Sequence, residues 1–115
     1  MKAIALTLIL SFGCLVQGAM AQIIPDGTVG TTGSLTTPIE GGTRSGNNLF
    51  HSFTQFSIPT GGSAIFNNPT DIQNIFSRVT GNTRSSIDGL IKAQGSANLF
   101  LMNPNGILLD RKSVV

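Results

Sequence analysis

The residues with chemical potential are few and do not assemble by type. His51 is the single histidine and Cys14 the single cysteine of 115 residues. A serine nucleophile needs an exposed, strained turn, and no serine here sits in a Gly-x-Ser-x-Gly elbow. Asp26, Asp71, Asp88 and Asp110 lack acid–base partners at an informative spacing. Gly41-Gly42 and Gly61-Gly62 are not followed by the Lys-Ser/Thr pair of a phosphate loop, and so read as turns. His51, flanked by Phe50 and Phe53, reads as a packed or turn-satisfying histidine. No catalytic residue, metal set or cofactor is expected. Two patterns point instead to recognition or architecture. Phe50, Phe53 and Phe56 recur every three residues, which makes either an exposed docking stripe or core, with core the stronger reading. Asn103-Pro104-Asn105-Gly106 is a turn leading into Ile107: Pro104 presets φ at the second position and Asn105 tolerates a left-handed one at the third.

The segments that carry these residues divide sharply. Residues 1–21 hold 15 of the 46 hydrophobic positions. Met1-Lys2 is a basic start, residues 3–16 are apolar except for Thr7, Ser11 and Gly13, and Ala19-Met20-Ala21 offers small side chains at Ala19 and Ala21, the positions a signal peptidase reads. A spanning helix wants about 20 apolar residues, more than this run supplies. Residues 1–21 are therefore expected to be a signal peptide for the general secretion machinery, cleaved after Ala21. A lipid anchor on Cys14 is disfavoured by bulky Phe12 in the preceding Ser11-Phe12-Gly13.

Cleavage removes the only thiol. The mature chain, residues 22–115, then carries no disulfide and no Cys/His zinc set. Its six basic and five acidic residues are scattered, and neither Trp nor Tyr is present, so nucleic acid is not an expected partner. Gly, Ser, Thr and Asn supply 42 of its 94 residues, alongside 27 Ile, Leu, Val and Phe. That is a lean, turn-rich composition.

Short β-forming pieces alternate with turns along it. Ile23-Ile24 and Leu35-Thr36-Thr37 are β-friendly, residues 49–58 form a longer run closed by Pro59, and residues 63–66 a short one stopped by Asn67-Asn68-Pro69. Ile72, Ile75, Phe76 and Val79 match the helical template, while residues 71–79 are few and end at Thr80-Gly81-Asn82. The residues leave helix and strand open, and the lean to strand rests partly on the family resemblance given below. Residues 86–93 and 97–102 read as two strands joined through Gln94-Gly95-Ser96. Strands of four to eight residues without long helices argue for an all-β fold. The run Leu99-Phe100-Leu101-Met102 does not alternate, which predicts parallel strands covered on both faces.

Four blocks carry a family resemblance, in order: residues 48–56 (Asn-Leu-Phe-His-Ser-Phe-Thr-Gln-Phe), 71–81, 87–91 and 98–107 (Asn-Leu-Phe-Leu-Met-Asn-Pro-Asn-Gly-Ile). Together they resemble the N-terminal secretion domain of filamentous-haemagglutinin-like exoproteins of two-partner secretion, in the wording of its large cyanobacterial branch. The resemblance implies a right-handed parallel β-helix. It implies export through the periplasm, capture by the periplasmic repeats of a dedicated outer-membrane transporter, and threading through its pore to the cell surface. It also implies that the domain is not an enzyme, and that Asn103, Pro104, Asn105, Gly106 and Ile107 matter for secretion competence. The family's Asn-Pro-Asn-Leu hallmark is absent, with Asn68-Pro69-Thr70-Asp71 a partial echo. Family domains run about twice this length, and residues 110–115 do not resemble the continuation. A truncated copy is therefore expected, with an incomplete β-helix, an open last coil, marginal stability and a tendency to edge association. The alternatives are a free-standing secreted adhesin or structural β-protein and, further off, a β-helical polysaccharide-active enzyme, for which clustered carboxylates are missing.

Overall fold

The structure, a computed structural model, describes residues 21–109. Residues 1–20, which contain Cys14 and Ala19, and the tail from Asp110 lie outside the described residues, and the signal-peptide expectation falls mostly there. The described residues contain strands and turns and no helix. In chain order the strands are β1 (Ile23–Pro25), β2 (Thr31–Thr32), β3 (Glu40–Gly41), β4 (Thr43–Ser45), β5 (Asn48–Phe56), β6 (Ser63–Phe66), β7 (Asn74–Val79), β8 (Ser85–Ile87), β9 (Leu90–Ala93), β10 (Asn98–Met102) and β11 (Ile107–Leu109).

From β5 onward every strand pairing between successive turns of the chain is parallel, and the strands gather in three stacks. The first is β5–β7–β10, in which Leu49 lies beside Ile75 and Ile75 beside Leu99. The second joins Ile58 to Ile87 of β8, and β8 to β11. The third joins Ile39 to Phe66 of β6, and β6 to β9. The chain visits first, second and third stack in that order on each turn, and partners in a stack are 22 to 29 residues apart. Short strands are enough here because turns containing Asn, Gly or Pro separate most faces from the next, Phe56-Ser57-Ile58 being the exception.

The side chains pointing inward form the core. Leu49 and Ile75 from the first stack, Ile58 and Ile87 from the second, and Ile39 and Phe66 from the third are all buried, with Phe53 and Phe56 filling the space between. Apart from Leu49, these are also the β-branched and aromatic residues that suit a pleated surface. One end of the stack is closed. The free side of β5 is covered by antiparallel β1, pairing Ile23 with Phe56, and by antiparallel β4, pairing Thr43 with Phe50. A stack of parallel strands benefits from such a cover, since its outer strand otherwise presents bare ladder groups.

The strand expected over residues 71–79 is present as β7, shortened to Asn74–Val79. Its helix-like spacing arises because Ile75 and Val79 point in while Phe76, between them, points out and is half-buried. Three readings need correction. Leu35-Thr36-Thr37 is a turn, because Ser34 Oγ accepts the amides of Thr36 and Thr37 at 3.1 and 3.2 Å and diverts them from a ladder. Residues 86–93 are two strands on different stacks, β8 and β9, broken at Asp88-Gly89. Gly89 makes that corner because a Cβ there would lie 2.4 Å from Gly62 O and 2.5 Å from Ile58 Cγ2. Finally, Leu99 to Met102 is not covered on both faces. Leu99 and Leu101 are half-buried inward, whereas Phe100 and Met102 are 45% and 47% exposed.

This division of faces predicts unequal costs for truncation. Ile75→Ala should lower unfolding free energy by about 3 kcal/mol through the cavity it leaves. Phe100→Ala should cost about 1 kcal/mol, the value of a stacked pair at a surface. Urea midpoints of the two variants measure the difference, and equal losses would contradict the assignment of faces.

Candidate functional site

Asn103-Pro104-Asn105-Gly106 forms the corner between β10 and β11, where the chain leaves the first stack for the second. Gly106 N–H donates to Asn103 O at 3.0 Å, closing a four-residue turn, and the left-handed φ of +109° falls on Gly106. The two asparagines do different work. Asn103 Nδ2 donates to Thr83 O and to Ser85 Oγ, both at 3.0 Å, while Asn103 Oδ1 accepts the Asn105 amide at 2.9 Å. Asn105 Nδ2 donates to Gly81 O at 2.8 Å and to Asn103 Oδ1 at 3.0 Å. Gly106 O in turn accepts the Ser85 amide at 3.0 Å. The turn is thus sewn onto residues 81–85, the corresponding corner one turn earlier. Asn103 is half-buried, and Pro104, Asn105, Gly106 and Ile107 face solvent.

A second asparagine does the same job at another corner and was underrated in the sequence. Asn68 is buried; its Oδ1 accepts the Gln94 amide at 2.9 Å and its Nδ2 donates to Gln94 O at 3.3 Å. The partial echo Asn68-Pro69 therefore marks an inter-turn link, and the signal was the Asn-Pro pair itself.

The three phenylalanines at three-residue spacing do not form one stripe. Over residues 48–53, paired in register with β7, faces alternate with period two and separate Phe50 from Phe53. Phe56 lies beyond that pairing, where the register against β1 shifts, and is buried despite its odd spacing. Phe53 and Phe56 are buried and meet edge to face at 5.0 Å. Phe50 is 38% exposed on the outside. There it stacks on Phe76 at 5.2 Å and 16°, and Phe76 stacks on Phe100 at 5.0 Å and 12°. Beside this aromatic ladder runs an amide ladder: Asn74 Nδ2 donates to Asn48 Oδ1 at 3.0 Å, and Asn98 Nδ2 to Asn74 Oδ1 at 3.3 Å. Both ladders follow from one triplet, Asn-Leu/Ile-Phe, at residues 48–50, 74–76 and 98–100. That recurrence at intervals of 26 and 24 was the available sequence signal for the stack.

Two titratable groups anchor the closed end. Asp26 accepts hydrogen bonds from Thr28 N at 3.0 Å, Thr28 Oγ1 at 2.7 Å, Ser52 Oγ at 2.6 Å and Thr80 Oγ1 at 2.7 Å. Partial desolvation alone would raise its pKa. The hydrogen bonds from Ser52, Thr80 and Thr28 outweigh that and hold the carboxyl well below the ordinary carboxylate range. Arg78 adds Nε to Ser52 Oγ at 2.8 Å and Nη2 to Thr28 Oγ1 at 3.2 Å, so the cover, β5 and β7 meet in one network. His51 is buried inside, with Nδ1 3.0 Å from Thr31 Oγ1. The Ser52 amide donates to that same oxygen at 3.1 Å, leaving the hydroxyl hydrogen available to Nδ1. Burial pushes the imidazole down to about 4. A neutral histidine facing a threonine is a packing element. Among the described residues, no three His, Cys, Asp or Glu side chains come together as metal ligands.

A family model described as the TPS secretion domain, TPS standing for two-partner secretion, matches residues 21–115. The chain belongs to that family. No curated protein and no solved structure matches it.

The two titratable groups predict a stepped acid profile. His51 has a lower pKa folded than its ordinary 6.5, so its contribution is complete above pH 6.5 and is lost as pH falls toward about 4. Asp26 is also depressed from its ordinary 3.8, so its contribution is lost only below about pH 4. Melting temperature against pH, followed by circular dichroism, should show both stages, and His51→Gln should flatten the upper one alone. For the corner, Asn103→Asp keeps the acceptor for Asn105 N–H but loses both donations, and should cost about 1–2 kcal/mol in urea unfolding.

Proposed function

We propose that this chain is the secretion-targeting module of an exoprotein, delivered to the periplasm by the general secretion machinery and then recognised by the periplasmic repeats of an outer-membrane two-partner secretion transporter. Residues 1–21 act as the signal peptide, removed by signal peptidase after Ala21. Residues 22–115 are the N-terminal part of the secretion domain, and the pore passes them to the cell surface or the medium. The observation that carries this reading is the family match across residues 21–115.

The geometry supports it in two ways. Three parallel stacks visited in constant order are the arrangement of a parallel β-helix, here taken as right-handed. The Asn103 to Ile107 corner is ordered from below by residues 81–85 and displays Pro104, Asn105 and Ile107 on the outside, which suits a surface read by another protein. Its work is recognition, not catalysis. The one histidine faces Thr31 rather than a carboxylate, which leaves it without the partner that a histidine general base uses.

Co-expression with a cognate transporter tests the assignment. The chain should appear in the medium only with the transporter present, and immunoblots should show several-fold less of the Asn105→Ala variant while its periplasmic level and fold are retained. Export that ignores the transporter would overturn the reading. Export unaffected by Asn105→Ala would move recognition away from this corner.

A further inference from the structure

The corner at residues 103–106 carries a reactive pair as well as a turn. Of the nine asparagines in the sequence, Asn105 alone is followed by glycine. An asparagine in that setting closes on itself: the nitrogen of the next residue loses its proton, attacks the side-chain carbonyl carbon and forms a five-membered succinimide. Ring closure expels the side-chain nitrogen as ammonia, and water then opens the ring to aspartate or isoaspartate. Overall, one side-chain amide and one water become one carboxylate and one ammonium, and nothing is oxidised or reduced. Glycine favours the attack because it brings no Cβ against the carbonyl. Asn103, by contrast, precedes Pro104, whose nitrogen has no hydrogen to lose.

In the folded corner both reacting groups are tied elsewhere. The attacking nitrogen, that of Gly106, donates its hydrogen to Asn103 O at 3.0 Å. The side chain under attack is turned away from its own backbone, with Asn105 Nδ2 donating to Gly81 O at 2.8 Å and to Asn103 Oδ1 at 3.0 Å. Closing the ring requires all three of these bonds to break. Burial is not the barrier, because Asn105 and Gly106 face solvent and a Cβ at Gly106 would meet nothing within 4 Å. Water reaches the pair, and the hydrogen bonds hold the reaction off. We propose that Asn105 is a deamidation site gated by the fold, closed while Asn103 and Gly81 hold the corner and open whenever residues 103–106 leave it. A chain kept from folding accumulates aspartate or isoaspartate at this position, and the product does not rebuild the corner. Aspartate has no amide hydrogen to give Gly81 O and sets a carboxylate oxygen against that carbonyl. Isoaspartate adds a methylene to the backbone between Asn103 O and the Gly106 N–H, which lengthens the turn they close. The pair thus keeps a covalent record of time spent unfolded.

The test incubates purified chain, expressed from the full sequence, at mildly alkaline pH with and without enough urea to unfold it. Peptide mapping by mass spectrometry follows each asparagine. Asn105 should deamidate at least about tenfold faster in urea, ahead of every other asparagine, because the corner must open before it reacts in buffer. Two variants, checked as folded by circular dichroism, separate the corner from the fold as a whole. Asn103→Ala removes Oδ1 and Nδ2 from the corner and should raise the rate in buffer toward that in urea. Ile75→Ala lowers stability away from the corner and should leave the rate in buffer near that of the wild type. Equal wild-type rates with and without urea would overturn the proposal. So would faster loss at another asparagine in urea, no acceleration by Asn103→Ala, or equal acceleration by both variants.

Discussion

Everything in this molecule depends on parallel strands lying in register, side chain over like side chain, about 4.8 Å apart. Such a stack tolerates little variety at a given position. An inward aliphatic must sit beside an aliphatic, as Leu49, Ile75 and Leu99 do. An amide must find an amide, as Asn48, Asn74 and Asn98 do. An exposed ring, which would otherwise be a solvation cost, is half covered by the rings above and below it, as Phe76 is between Phe50 and Phe100. The repeating triplet is the record of that constraint, and it explains how a chain of polar, uncharged residues holds shape without a disulfide.

The corners obey a second rule: each is tied to the corner one turn earlier. Asn103 and Asn105 reach back to residues 81–85, and Asn68 is joined in the same manner to Gln94. Asparagine suits this work because one short side chain presents both donors and an acceptor to the backbone. The Asn103-Pro104-Asn105-Gly106 turn is therefore an architectural part. Its exposed part, Pro104 to Ile107, is held in place by its half-buried member, Asn103.

Much of this was legible in the residues. The positions of β5 and β10, the turn at residues 103–106 and the all-β character follow from apolar runs and turn chemistry, whereas β7 matches a helical spacing and reads as strand partly through the family resemblance. Faces were harder to read. Phe50 and Phe53 look equivalent three residues apart, and their separation rests on a strand period that the unbroken run 49–53 conceals. The break at Asp88-Gly89 is set by contact with Gly62 and Ile58, 27 and 31 residues away in sequence. The cover over β5 was not legible at all. Asp26 reads as an ordinary turn aspartate, and its partners Ser52 and Thr80 are brought to it by the stack itself.

The cover has a kinetic meaning. With β1 and β4 on β5, the closed end offers a complete template from the N-terminal side, and β7 and then β10 add to it in turn. The loop each addition must close is one turn long, so its entropic penalty stays the same however many turns precede it. Each turn stacked on that end therefore carries the same closure penalty, unlike sheets whose sequence separation grows with chain length.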